Sequence, residues 1–312
     1  MESSLAYSNL SVHDPAKYRG VHLTSVLSKV AERVIGILMT HFFENTGAYS
    51  ASQWAFQRGR SHSDLIALLI NSWILALEQG KKIGLYLSDI SGAFDRVWTP
   101  LLMKKLWRSG LNAELLKFLE NYLTEHSRKI AVNGDFSDAF ELSNMVYQGT
   151  VLGPVLWNVF FSDISSVMAK IHGTEAKFAD DLNVYKLYCA KTSNDDIMQE
   201  LYDCQKLTHE WGVEHRVAFD RTKEEFTIIH RKQGQGEPFR LLGPVIDHAL
   251  IMSEAIDKLV GKCRPKIKAI LRTTRHYSVQ DMVLQFKTHV LPTAELATPA
   301  VYHASTSVLK TS

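Results

Sequence analysis

The stretch Lys177-Phe178-Ala179-Asp180-Asp181-Leu182-Asn183-Val184-Tyr185 sets two adjacent carboxylates inside a run that is otherwise apolar and strand-forming. Aromatic and β-branched residues favour strands, and a pair of aspartates between two such runs reads as a tight turn. The stretch therefore predicts a β-hairpin with both acids at its tip. Aspartate is also favoured in turns because it bonds its own backbone, so a solvated turn and a functional acid pair are equal readings of these residues alone.

A third carboxylate sharpens the question. The short apolar run over 83–87, bounded by Lys81-Lys82 and Ser88-Asp89, has the form of a buried central strand with an acid at its end. If that strand lies beside the hairpin in one antiparallel sheet, Asp89, Asp180 and Asp181 come together. Hard oxygen donors of this kind suit Mg²⁺, which keeps waters and shares its site with phosphates. Two such ions about 3.5–4 Å apart can activate an attacking hydroxyl and stabilise a leaving oxygen. Without cations, three clustered carboxylates repel one another.

The remaining periodicities supply a mixed scaffold. The first seventeen residues read as irregular. Val26, Leu27, Val30, Val34, Ile37 and Leu38 recur at helical spacing, with Glu32 and Arg33 off that face, and predict an amphipathic helix over 25–43. A loop over 53–61 carries Arg58 and Arg60 around Gly59, and further helices are expected over 63–79, 99–107, 113–123, 151–168 and 195–211. Strands are expected over 128–132, 139–142, 217–219, 226–230 and 239–243, with a basic helical region from Glu254 onward. An Arg-Gly-Arg loop can present cations to phosphate or simply lie solvated, and a helical basic run is more often a solvated face than a binding one.

Composition narrows the class. With 312 residues, 46% hydrophobic and 22% charged, the chain can bury the core of one large or two modest domains. Its net charge of +2 says nothing by itself about nucleic acid. The cysteines Cys189, Cys204 and Cys263 are dispersed, and the histidines form no Cys/His cluster, which argues against a disulfide framework or a zinc site and suits a reducing compartment. The apolar stretch over 65–77 is too short to span a bilayer, and no secretory signal is expected from the polar start, so no membrane partner is expected.

Taken together, 87–95 (Leu-Ser-Asp-Ile-Ser-Gly-Ala-Phe-Asp), 147–154 (Tyr-Gln-Gly-Thr-Val-Leu-Gly-Pro) and 178–181 (Phe-Ala-Asp-Asp) resemble motifs A, B and C of reverse transcriptases, particularly those of non-LTR retrotransposons. The order and approximate spacing of the three blocks are what make the likeness specific. Residues 18–32 and 53–61 are similar to the family's two fingers blocks, 223–225 to motif D and 241–243 to the motif E primer grip, so the resemblance covers about 18–247.

The resemblance implies an α+β right-hand polymerase with an antiparallel-sheet palm, interleaved fingers and a partial helical thumb. Its divisions would be 1–17 irregular, 18–82 fingers, 83–253 palm and 254–312 thumb. It implies an RNA-directed DNA polymerase working with two Mg²⁺ ions, Mn²⁺ being a substitute, on an RNA template, a DNA primer and deoxynucleotides, with a separate endonuclease activity as a further partner. Asp89, Asp180 and Asp181 match the metal ligands. Phe94 matches the aromatic gate under the incoming sugar, Gln148 and Gly149 the nucleotide-side loop, Arg58 and Arg60 the fingers cations on the triphosphate, and Lys223 the lysine that protonates pyrophosphate. Leu242, Gly243, Lys262 and Lys266 match contacts to primer or nucleic acid. Plainer readings stand beside these: a core aromatic at Phe94, surface arginines, a solvated turn lysine.

Three residues depart from the family pattern. Tyr147 and Gly20 stand where proline is usual, and Phe178 where tyrosine is commoner; Tyr147 is expected to loosen the loop it precedes. A family analogy places the protein inside the cell, in nucleus and cytoplasm. The competing readings are a truncated, inactive retroelement fragment that only binds RNA, and a nucleotidyl cyclase on a similar sheet, which leaves Gln148-Gly149 unexplained.

Overall fold

In a computed structural model the described residues are 2–7, 18–124, 126–142 and 144–304. Two strands, Glu2–Tyr7 (β1) and Tyr18–Leu23 (β2), precede the helix Val26–Thr46 (α1). The Ser25 hydroxyl accepts the Ser28 N–H at 3.1 Å to open α1, and Gly47 closes it at φ 69°. Helix His62–Glu78 (α2) is opened in the same way by Ser61, and strand Lys82–Asp89 (β3) follows. Next come Thr99–Arg108 (α3), Ala113–Leu123 (α4), and the strands His126–Val132 (β4), Asp135–Phe136 (β5) and Phe140–Leu142 (β6). Helices Leu152–Phe160 (α5) and Ser165–Met168 (α6) lead to the hairpin Thr174–Phe178 (β7) and Asp181–Tyr188 (β8). The chain ends with Asn194–His215 (α7), Glu225–Ile229 (β9), Phe239–Arg240 (β10), Val245–Ile246 (β11), Ser253–Arg272 (α8), Val279–His289 (α9) and Leu291–Val301 (α10).

Contacts gather the chain into two compact units, each made of three segments: Met1–Gln57, Ser88–Ile171 and Lys206–Lys223 in the first, Arg58–Leu87, His172–Gln205 and Glu224–Ser312 in the second. This partition follows different lines from the linear division expected from the sequence.

In the first unit, β1 pairs antiparallel with β2 and parallel with β4, and β4 also carries β5 and β6. Its core is built by α3, α4 and α5, with Leu102, Leu106, Leu119, Leu156, Trp157 and Phe160 fully enclosed. The helical run 152–171 is apolar and long enough to cross a membrane by composition, and 67% of its most apolar window is buried inside the protein, as a core helix would be.

In the second unit the sheet order is β7-β8-β3-β9, with β3 antiparallel to β9 and β7 antiparallel to β8. Strand β3 is buried on every residue up to its last, so it reads as a continuous apolar run instead of alternating. At Gly84 a Cβ would lie 2.7 Å from Ile197 and 2.9 Å from Tyr188, so only glycine lets the start of α7 cross the strand this closely. The buried Lys82 ammonium is satisfied by the Thr192 carbonyl at 2.8 Å and Asn194 Oδ1 at 2.9 Å. Trp73 of α2 meets Tyr185 and Phe239 edge-on, and α10 packs on both α2 and α8.

Four expectations need correction. Residues 2–7 form a strand because β2 and β4 supply pairing partners that a polar sequence does not advertise, while 8–17 lie outside the described residues. Helix α1 faces the opposite way from its periodicity: Glu32, Gly36, Met39 and Phe43 are buried, while Val26, Leu27, Val30, Val34, Ile37 and Leu38 are 56–80% exposed. Gly36 lies on the packed face, where an added methyl would meet Val151 and Leu152 at 3.5 Å, an ordinary contact distance, so the close packing there does not depend on the glycine. The helix expected over 151–168 breaks after Phe160 into a 3₁₀ turn at Ser162–Ile164 before α6. The strand expected over 217–219 is reduced to a single bridge between Phe219 and Ile90.

Candidate active site

The acid pair sits where its flanking residues predicted. Phe178 pairs with Asp181 across the β7–β8 hairpin, leaving Ala179 and Asp180 as a two-residue turn. Such turns need positive φ, and Ala179 adopts φ 58°, a conformation that costs a non-glycine residue about 1 kcal/mol. Asp180 is thus at the tip and Asp181 opens β8, both half-buried. The Phe178 ring meets His62 edge-on at 5.5 Å. His62, the first residue of α2, also hydrogen-bonds the Leu242 carbonyl through Nε2, joining the acid hairpin to the β10–β11 turn. Nothing in the sequence pointed to His62, because its two partners are distant in the chain. In that turn Leu242 and Gly243 take φ 50° and 114° between the two-residue strands β10 and β11, which replace the longer strand expected over 239–243.

Asp89 closes β3, and its surroundings within the first unit are specific. The Asp220 N–H donates to the Asp89 carbonyl at 2.9 Å, and the Ser91 N–H to the Ala218 carbonyl at 3.0 Å. This brings the turn 220–223 against Asp89, where Lys223 Nζ meets Oδ2 at 2.6 Å and Asp220 Oδ2 at 3.5 Å. The Asp89 hydrogen bond holds the Lys223 ammonium above its ordinary pKa, and the Thr222 hydroxyl and N–H hold the Asp220 carboxyl below its own.

The loop after β6 is held tightly. Tyr147 is fully buried, its ring tilted against His22 at 5.0 Å and edge-on to Tyr122 at 5.6 Å, with the Arg128 guanidinium 4.5 Å from its ring. The expectation that a tyrosine here loosens the loop is therefore overturned: the ring fills a pocket that a proline would leave empty. The Gln148 carbonyl accepts the His22 N–H at 2.9 Å, and Gly149 is exposed at φ 90° with Val21 so close that a Cβ would sit 2.9 Å from it. Phe94 is half-buried, stacked on Trp157 at 5.6 Å, and its carbonyl accepts the Val146 N–H at 2.8 Å. Gly153 makes room for this, since a Cβ would be 2.8 Å from the Tyr147 carbonyl and 3.4 Å from the Phe94 ring.

Of the other candidates, Arg58 is exposed and Arg60 half-buried just before the Ser61 cap of α2. Lys262 is exposed and lines a shallow pocket of about 160 Å³ with Arg240, Gly243 and Lys258. Lys266 is committed within the helical bundle, donating to the His289 carbonyl at 3.0 Å and the Thr293 hydroxyl at 2.6 Å. Those bonds place its ammonium at the junction of α8 with α9 and α10.

Among the described residues no group of three or more His, Cys, Asp or Glu side chains could hold an ion. Asp89 has the Lys223 ammonium as its counter-ion. The donor chemistry nonetheless suits hard divalent cations, all three side chains being carboxylates.

A family model for reverse transcriptase (RNA-dependent DNA polymerase) matches residues 10–246. The chain belongs to the reverse transcriptase family. Among curated proteins it is 30% identical over 273 residues to the RNA-directed DNA polymerase from mobile element jockey of Drosophila melanogaster, covering 81% of this chain and 29% of that protein. It is 26% identical over 266 residues to the probable RNA-directed DNA polymerase from transposon X-element of the same species, with the same two coverages. The likeness identifies a reverse transcriptase domain of non-LTR retrotransposon type, and the chain spans only 29% of those two relatives. Among solved structures, apo telomerase from Candida tropicalis superposes with a TM-score of 0.58 at 10% identity, over 99% of this chain and 58% of that one, which shows the fold alone. In this reverse transcriptase domain Asp89, Phe94, Gln148, Gly149 and Lys223 belong to the first unit, and Arg58, Arg60, Asp180, Asp181, Leu242, Gly243, Lys262 and Lys266 to the second.

Proposed function

We propose that the chain is an RNA-directed DNA polymerase that transfers deoxynucleotides to a primer 3′-hydroxyl on an RNA template. The observation that carries this reading is the Asp180-Asp181 pair at a tight turn leading into β8, the strand next to β3, which ends in Asp89. Those three carboxylates would hold two Mg²⁺ ions, or Mn²⁺ in their place. When bound, the ions supply neutralising charge for the triphosphate and an activated hydroxyl. The primer 3′-hydroxyl loses its proton to solvent as its oxygen forms a bond to the α-phosphorus and the bond to pyrophosphate breaks, and Lys223 Nζ would give up a proton to that leaving group.

The remaining roles are those the family resemblance assigns. Phe94, backed by Trp157, gives a firm aromatic floor under the incoming sugar. Gln148 and Gly149 face the nucleotide, Arg58 and Arg60 meet its phosphates, and Leu242, Gly243 and Lys262 guide the primer strand. A separate endonuclease would supply the primer end, and the site of action would be intracellular, in nucleus and cytoplasm.

Purified protein given poly(rA)·oligo(dT) and dTTP should extend the primer, and Asp180→Ala should reduce extension by at least about a thousandfold. No extension across a range of Mg²⁺ and Mn²⁺ would sink the proposal. The exposed cations of α8 favour one other reading, an inactive fragment that holds RNA; salt-sensitive RNA binding without extension is its signature.

A further inference from the structure

Helix α5 starts without a cap of its own. Its N-cap residue is Val151, which offers no side-chain hydrogen bond. The first four N–H groups of any helix lack partners within it, and buried ones must find them elsewhere. Here the partner comes from α1: Glu32 Oε2 accepts the Val151 N–H at 2.8 Å and the Leu152 N–H at 3.4 Å. Thr150 completes the start, its hydroxyl donating to the Tyr147 carbonyl at 2.7 Å and accepting the Gly153 N–H at 3.2 Å.

Glu32 is only 3% exposed, so its charge is placed at the positive end of α5 in a poorly hydrated setting. Burial, the larger cause, and the same carboxylate, which interacts with the buried Tyr122 hydroxyl, hold that phenol above its ordinary pKa. Gly36, one turn further along α1, lies on the same packed face, facing Val151 and Leu152.

Between these anchors hangs Gln148-Gly149. On one side the Gln148 carbonyl is bonded by the His22 N–H; on the other, two residues on, the chain is pinned by Glu32. Both clamps come from the same short stretch of sequence before and within α1.

We infer that Glu32 is a positioning residue for the nucleotide-side loop, acting through the start of α5. The inference rests on the polymerase reading for its kinetic consequence, and on the hydrogen bonds alone for its structural one. Two measurements on the full chain separate them. In hydrogen exchange, Glu32→Ala should speed the Val151 and Leu152 amides on the order of tenfold or more, Glu32→Gln should speed them less because it keeps a carbonyl acceptor, and amides in α7 should not change. In primer extension, Glu32→Ala should raise the KM for dTTP about tenfold with a smaller fall in kcat, and Glu32→Gln should recover part of the loss.

Unchanged exchange at Val151 and Leu152 overturns the cap. An unchanged KM, with kcat falling in step with the folded fraction, overturns the positioning role and leaves a structural one. If Glu32→Ala does not fold, Glu32→Gln decides both points. A wild-type chain that extends no primer overturns the polymerase reading and not the cap, which the exchange result decides by itself.

Discussion

Asp89 and Lys223 show how the charge of a single carboxylate is balanced from within the chain. Their side chains are 23% and 57% exposed, and a pair so accessible contributes at most about 1 kcal/mol to stability. Its effect is on charge: the ammonium keeps one carboxylate of the proposed metal site neutralised. The expected outcome of chelation is accordingly small, a thermal midpoint for the wild type that moves by no more than about 1 °C in EDTA. Lys223→Gln removes the internal counter-ion, so Mg²⁺ should now raise the midpoint and Mn²⁺ should bind severalfold more tightly by titration calorimetry. A wild type that unfolds on chelation would contradict this account. The acids themselves were legible in the sequence because each interrupts or ends an apolar run, where an unpaired charge needs a reason. Their neighbours were not: Lys223 meets Asp89 across 134 positions, and Glu32 reaches Val151 across 119. No local pattern encodes a contact of that range.

Elements were legible to the extent that local chemistry ends them. Ser25 and Gly47 bracket α1, Asn112 caps α4 through the Leu115 N–H, and Asn133-Gly134 turns at φ 53° and 94° between β4 and β5. Periodicity located α1 and then gave its wrong face, because an apolar stripe is inward only by default and here the buried face carries Glu32, whose partners are the distant amides of Val151 and Leu152. The loop beginning at Tyr147 was misjudged for a similar reason, since a comparison with proline counts the backbone and not the ring. Tyr147→Ala should cost about 3–5 kcal/mol by emptying a fully packed site, measured as a loss in urea midpoint. Arg128→Met should cost much less. The guanidinium contributes about 2 kcal/mol over a desolvated ring, but its Nε and Nη2 are buried with no hydrogen-bond partner among the described residues, and removing them recovers about 1–3 kcal/mol. An Arg128→Met variant as damaging as Tyr147→Ala would overturn that expectation.

At the scale of the whole molecule, acid sensitivity should trace to a cluster away from the proposed chemistry. Asp163 receives Lys105 Nζ at 2.8 Å, the Trp211 indole N–H at 3.1 Å and His215 Nε2 at 3.3 Å, tying α3 and α7 to the turn after α5. Burial alone would raise its carboxyl; the His215 hydrogen bond and the Lys105 ion pair outweigh that and bring it from 3.8 to about 2. Because the folded value lies below the unfolded one, the carboxylate stabilises the protein above about pH 4, and that contribution is lost as the pH falls towards 2. Thermal midpoints measured from pH 5 to 2 should fall less steeply for Asp163→Asn than for the wild type; identical slopes would place the acid transition elsewhere.

The reach of Glu32 has a practical corollary for recombining these domains. An exchange that takes the stretch around α1 from one relative and α5 from another splits a carboxylate from the two amides it serves, although each helix looks self-contained in a sequence comparison. Crossovers that keep α1 through α5 on one parent preserve that match, and a donor lacking an acid at this position must bring its own cap.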